Sequence, residues 1–317
     1  MGIGVSVLAL PVALAAFVVA MLRRRTVTVG VNEHPDVVRI AARTRGLRVA
    51  GLLLGLVVGA LLLLLGQRVD ALGRLTALAP TAVGAGVLLG AVLGELTARP
   101  AVGIRRAAVV ETRTVRGLLP RARTVLLLVC AALLAAALAI GAAWGAPDDQ
   151  QRPGRAFTER CEQVIDGGLV STLHSQGPWP GSFYAVPLAI ALGVLALLTL
   201  AALRAVVRRP RPTPESLGLD TMLRRWSAGN ILTAATFTVL GTLGPVATLI
   251  ALSLGDRQCP VSFAEVLVRW TSTVVGPLAL VGGAAALGAL LVSPTIRVDD
   301  LPRPLPGDAA PVGAPVR

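Results

Sequence analysis

The sequence predicts an all-α fold, a polytopic bundle that crosses a membrane seven times. Three observations carry that prediction. Seven apolar stretches recur along the 317-residue chain, each close to the roughly twenty residues a helix needs to cross hydrocarbon. Hydrophobic residues make up 54% of the chain and charged ones 15%, against about 45–50% and 25% in soluble domains. The arginines fall overwhelmingly in alternate loops.

The spans are expected at 2–22, 49–66, 76–98, 124–145, 184–206, 230–254 and 271–293. They make one transmembrane domain over 1–293, with a long external loop at 146–183 and a tail at 294–317. Lipid offers the backbone no hydrogen-bond partner, so each span must be helical. The first lacks a basic leader, is long, and runs directly into Arg23, Arg24 and Arg25. It reads as an uncleaved anchor rather than a signal peptide. Segments 23–48, 99–123, 204–229 and 294–317 hold twenty-three of the arginines. The other side holds seven: Arg68, Arg74, Arg152, Arg155, Arg160, Arg257 and Arg269. The positive-inside rule then puts the N-terminus outside and the C-terminus in the cytoplasm, as an odd number of spans requires. The four tryptophans, Trp144, Trp179, Trp226 and Trp270, each fall near an expected span boundary, where an amphipathic indole is favoured.

Spans two and three carry small residues at intervals of four: Gly51, Gly55 and Gly59, then Ala82, Gly86, Gly90 and Gly94. That interval lines one helical face. Without a hydrophobic force between helices in lipid, close backbone approach joins them. The two stripes predict a tight antiparallel hairpin, or alternatively a homodimer interface.

Span six is the most polar. Asn230, Thr233, Gly241, Gly244 and Thr248 share a face, with Thr236 at its edge. Pro245 interrupts this span, and Gly276-Pro277 interrupts span seven. Carbonyls freed at such breaks line substrate paths in some transporters. Threonines that bond back to their own helix, and prolines that merely kink it, would give the same pattern. The two halves also share a scheme that an internal repeat, or shared topology alone, would give. Spans one and five each lead through a basic linker to an Asp-headed segment, at Asp36 and Asp220, that enters the next span.

Cys161 and Cys259 fall in expected external loops and can form a disulfide; Cys130 lies inside span four. The 146–183 loop also holds Glu159, Glu162, Asp166 and His174. These read either as a small binding cap or as a solvated short helix over 157–165. Glu33-His34-Pro35-Asp36 reads as a helix start rather than a metal site. Metal ligation is not expected, because convergent ligands are missing. The Pro-rich tail is expected to be disordered.

Intramembrane charge is scarce. Glu95 ends span three, and Arg99 follows one turn later as its expected interfacial partner. A gating carboxylate is the functional alternative. No nucleotide-binding, nucleophile-elbow, zinc-protease, redox or haem motif occurs, so no catalytic, cofactor-binding or metal residues are assigned and an enzyme is not expected. All thirty basic residues are Arg, and the formal net charge is +13. With no accompanying nucleic-acid motif, this charge is read as topogenic and as attraction to anionic lipid at the cytoplasmic face.

The composition, the Asp36 juxtamembrane segment and the Gly94-Glu95-Leu96-Thr97 helix end resemble uncharacterised multi-pass membrane proteins of actinobacterial type. The resemblance spans the whole chain and carries over no known activity; a bacterial plasma membrane is the expected location. The residues give two functional readings, the first the expectation and the second its alternative. One is a permease-like transport component using the span-six face. The other is a non-enzymatic sensor or scaffold with a disulfide-tied cap, meeting a protein partner or a second copy of itself.

Overall fold

The computed structural model describes residues 12, 14–19, 22, 26–29, 35–69, 72–97, 115–165, 168–209, 217–255, 262–291 and 295–298. In chain order these form β1 (Thr26–Val29), α1 (Pro35–Arg68), α2 (Arg74–Leu96), the single turn α3 (Val115–Leu118) and α4 (Arg121–Trp144). Then come β2 (Phe157–Ile165), β3 (Gly168–Gln176), α5 (Ser182–Arg208), α6 (Leu217–Ser253), α7 (Phe263–Leu291) and β4 (Thr295–Val298). Six helices, α1, α2, α4, α5, α6 and α7, are long and apolar enough to cross a membrane. They match the expected spans two to seven to within a few residues at most ends, and this composition is that of a multi-pass membrane protein. Of the expected first span, residues 14–19 are helical, and most of 1–25 lies outside the described residues.

Helix α6 is the hub. Its apolar stretch is 67% buried, against 22–28% for α1, α4, α5 and α7. It packs on α2, α4, α5 and α7, whereas α1 leans chiefly on α2. The outer helices therefore turn bare leucine and valine outward: Leu54 is 61% exposed, Leu128 63% and Leu278 65%. In water such a surface would drive association; in lipid it is the expected state.

Two glycine-lined contacts set how closely the helices approach. A Cβ added at Gly51 would stand 2.3 Å from the Gly86 carbonyl oxygen, and one at Gly90 2.3 Å from that of Leu47. At Gly55 it would meet Val83 backbone at 2.8 Å, and at Gly59 the Val83 side chain at 3.2 Å. Gly94 closes the row against Thr44. Any side chain here would push backbone from backbone, so the stripes of α1 and α2 face each other inside one chain. The second contact joins α6 to α7, where Gly276 sits over Thr248 and Gly244 over Leu280. Pro245 and Pro277 lie inside helices that continue through them, so the expected breaks are not interruptions of the fold.

Helices α1 and α6, with 34 and 37 residues, span about 50 Å at 1.5 Å per residue, well beyond a core of about 30 Å. Their surplus lies at the arginine-rich end, so the Asp-headed segments are continuous with the spans they precede. At that same end β1 and β4 form a parallel ladder, with Thr26 opposite Thr295. The tail's first residues are thus a strand rather than disordered; Thr-Ile-Arg-Val is rich in β-branched residues, as Thr-Val-Thr-Val is. Residues 299–317 lie outside the described residues.

The opposite end carries a cap. The short helix expected over 157–165 is instead strand β2, paired antiparallel with β3 so that Phe157 faces Gln176 and Ile165 faces Gly168. The register leaves two intervening residues, Asp166-Gly167, a pair favoured in tight hairpins. Trp179 is not at a lipid boundary as expected but fully buried in the cap core. Its indole N–H donates to the Gly141 carbonyl at 2.7 Å, and its ring lies 5.0 Å from Phe157. Gly154 adopts φ +69°, and Ser182 stands where its Cβ would be, so the turn admits only glycine.

Candidate functional site

A buried charge cluster forms where α2, α5 and α6 meet at the arginine-rich end. It begins with Asp220, in the first turn of α6, where the helix dipole favours an anion. Arg224 follows at i+4. Its Nε donates to Asp220 Oδ2 at 2.7 Å, its Nη1 to the carbonyls of Val206 at 2.6 Å and Val207 at 3.2 Å, and its Nη2 to that of Arg209 at 2.8 Å. One guanidinium thus satisfies the carbonyls left open at the C-terminus of α5, and its charge suits the negative end of that helix dipole.

Capping in this way fixes the backbone of Arg209, whose N–H bonds Ala205. The Arg209 side chain then enters the bundle. Its Nη1 lies 3.6 Å from Glu95 Oε2 and its Nη2 3.9 Å from Asp220 Oδ1, with all three side chains only 3–4% exposed. Both contacts are ion pairs longer than hydrogen bonds. Glu95 Oε2, Asp220 Oδ1 and Arg209 Nε have no hydrogen-bond partner. The cluster holds two arginines and two carboxylates, so it is neutral as a unit. From α1, Arg48 completes the arrangement with its guanidinium 4.5 Å from the Trp226 ring of α6. Chemically this is a clamp, because its charges tie α2, α5 and α6 together, Arg48 adds a cation–π contact from α1, and the cluster presents no nucleophile beside a base.

Of the expected interfacial pair, Glu95 is buried against Arg209, while Arg99 lies outside the described residues. Asp220–Arg224 was legible as an i,i+4 pair at a helix start. Arg209 carried no local signal; it reads as one more basic linker residue until α5 and α2 are placed side by side.

The expected polar face of α6 is occupied. Thr233 bonds the Gly229 carbonyl, Thr236 that of Leu232 and Thr248 that of Gly244, each at 2.8 Å. Thr238 and Thr242 repeat the pattern at 3.0 and 2.9 Å. Each hydroxyl proton is therefore spent on the helix's own carbonyl four residues back. Thr233 also accepts a 3.4 Å bond from Arg123, and Asn230 is half-buried.

In the cap, Asp148 Oδ2 receives Arg155 Nη1 at 2.7 Å, and its Oδ1 receives the backbone N–H groups of Arg152 at 2.9 Å and Gln150 at 3.1 Å. Burial opposes its charge, but these bonds outweigh that and hold the carboxyl below its usual range. The same contact with Asp148 raises Arg155 further. Arg74 ties the cap end to α5 by donating to the Phe183 carbonyl at 3.1 Å while stacking on its ring, and Tyr184 donates to the Leu72 carbonyl. Register sets Glu159 opposite His174, which lies 3.3 Å from Thr172 Oγ1. Among the described residues, no three His, Cys, Asp or Glu side chains are grouped to hold a metal. Cys161 is buried on β2, Cys130 is a free thiol within α4, and Cys259 lies outside the described residues. Comparison with family models, with curated proteins and with solved structures finds no match for this chain.

Proposed function

We propose that this chain is a non-enzymatic membrane scaffold that holds a folded cap on one side of the bilayer for a protein partner or a second copy of itself. One observation carries the reading. Along the α6 face that a solute path would use, the threonine hydroxyls bond the helix's own carbonyls, and α7 covers its Gly244–Thr248 part, with Gly276 seated on Thr248 and Gly244 on Leu280. A pathway needs polar groups left free for cargo. Here the threonine hydroxyls are spent on the helix's own backbone.

The reading includes seven spans, the N-terminus and cap outside, the C-terminus in the cytoplasm, and a bacterial plasma membrane. Its support is the arginine bias between alternate loops. A Cys161–Cys259 disulfide belongs to the same proposal. Its support is the burial of Cys161 on the cap and the free state of Cys130, which leaves Cys259 as the other cysteine.

Reconstitution in liposomes tests the scaffold reading against a permease. Vesicles containing the protein should pass ions, sugars and amino acids no faster than empty vesicles. A saturable flux that Thr233→Val or Thr248→Val abolishes would overturn it. Tags on the two termini should be accessible from opposite compartments. Intact-mass analysis after alkylation without reduction should count one modified cysteine; three would refute the bridge.

A further inference from the structure

We propose that the mouth of the groove between α4 and α6, at the arginine-rich end, seats the phosphate of an anionic phospholipid. The proposal rests on the helices lying in a bilayer and is independent of the scaffold reading.

Arg123 is the third residue of α4, and its exposed side chain reaches across to α6. Its Nη1 donates to Thr233 Oγ1 at 3.4 Å and fills the space over Gly229, where a Cβ would come within 2.5 Å of that nitrogen. The missing side chain at Gly229 is what lets the guanidinium come this close to α6. The bond to Thr233 uses one of five N–H donors. Arg225 stands one turn before Gly229 on the same face of α6 and is exposed. Arg121, two residues before Arg123, is exposed as well.

Among the described side chains at this end, the carboxylates are Glu95 and Asp220, both buried and engaged by Arg209 and Arg224. The opposite end is mixed, with exposed Glu162 and Asp149 beside its arginines. Just below the arginines, Val125, Leu126, Leu128 and Val129 of α4 are 51–63% exposed. The surface therefore changes from cationic to bare hydrocarbon within about one helical turn. A free anion would use only the first part, and an acidic protein segment would leave the second wet. An amphiphile with a phosphate head and acyl chains matches both.

The test uses the full chain in neutral detergent, titrated with phosphatidylglycerol or phosphatidylcholine and read by native mass spectrometry. Phosphatidylglycerol should bind more tightly than phosphatidylcholine. Arg123→Gln and Arg225→Gln should each weaken it about five-fold, the equivalent of about 1 kcal/mol per arginine. Arg68→Gln, an exposed arginine at the opposite end, should leave it unchanged. Gly229→Ala keeps every charge but displaces the Arg123 head, so it should reproduce most of the Arg123→Gln loss. Equal losses in Arg68→Gln, or none in the Arg123→Gln/Arg225→Gln double variant, would overturn the site. So would displacement of phosphatidylglycerol by glycerol phosphate at similar concentration, since acyl chains would then be irrelevant. All the replaced arginines are exposed, and unchanged circular dichroism would show that folding is intact.

Discussion

Replacing Arg209 by Met would remove the cation that pairs with both Glu95 and Asp220 while keeping most of the side-chain volume. The two ion pairs are 3.6 and 3.9 Å long. At an effective dielectric constant of about 20, Coulomb's law gives about 4–5 kcal/mol for each. The intact cluster does not retain that sum, because three buried charged groups were desolvated to make it, and Arg224 repels Arg209 across Asp220. The asymmetry lies in the loss. Without Arg209, Glu95 keeps its burial penalty and loses its ion pair, and Asp220 keeps only Arg224. Breaking a buried pair from one side costs about 3–5 kcal/mol. Reversible unfolding in detergent micelles should show Arg209→Met destabilised by about that amount, with a melting temperature lower by on the order of 10 °C. Exposed Arg208→Met is the control and should stay within about 0.5 kcal/mol of the parent. Glu95→Gln made in both backgrounds closes a double-mutant cycle, whose coupling should reach about 1–3 kcal/mol. An Arg209→Met protein as stable as Arg208→Met, with no coupling to Glu95, would refute the clamp.

The helix contacts and the cap give further expectations. Gly51→Ala drives a methyl to 2.3 Å from backbone oxygen and should cost about 1–3 kcal/mol by the same unfolding assay, whereas Gly193→Ala, with open space around it, should be neutral or slightly stabilising. Thr238→Val removes a hydroxyl bonded only within its helix and should change stability by no more than about 1.5 kcal/mol; a larger loss would mean the hydroxyl serves another group. Asp148 has a folded pKa below its unfolded value of about 3.9, so its contribution is fully present above that value and is lost as pH falls through the folded pKa. Hydrogen exchange over residues 146–182 should therefore stay slow from pH 7 to about 5 and accelerate below about pH 4 after correction for intrinsic rates, and Asp148→Asn should flatten that change. Trp179→Phe strands the Gly141 carbonyl in a buried site and should destabilise the cap by about 1–3 kcal/mol, seen as faster exchange in the same segment.

Much of this architecture is written in local pattern. An apolar run of span length can hardly be anything but a helix in lipid, and six such helices stand where the runs are. The small-residue stripe from Gly51 to Gly59 and its counterpart from Gly86 to Gly94 forecast their contact because spacing of four fixes a face before any partner is known. The cap was misread for an equally local reason. In the sequence Asp166 reads as one more acidic residue of the loop, whereas Asp166-Gly167 is a pair favoured in tight hairpins. Trp179 was misplaced because proximity to a span boundary cannot distinguish an indole in headgroups from one folded into a loop core.

Composition and periodicity determined that this chain is made for lipid, where its helices run, and which glycines must stay bare, because backbone hydrogen bonding and helical geometry act within one segment. Only the tertiary structure decided what the charges do. Arg209 lies 114 residues from Glu95 in the chain and 3.6 Å from it in space. Electrostatic energy depends on that second separation and on the removal of water, and neither exists until α2, α5 and α6 have packed.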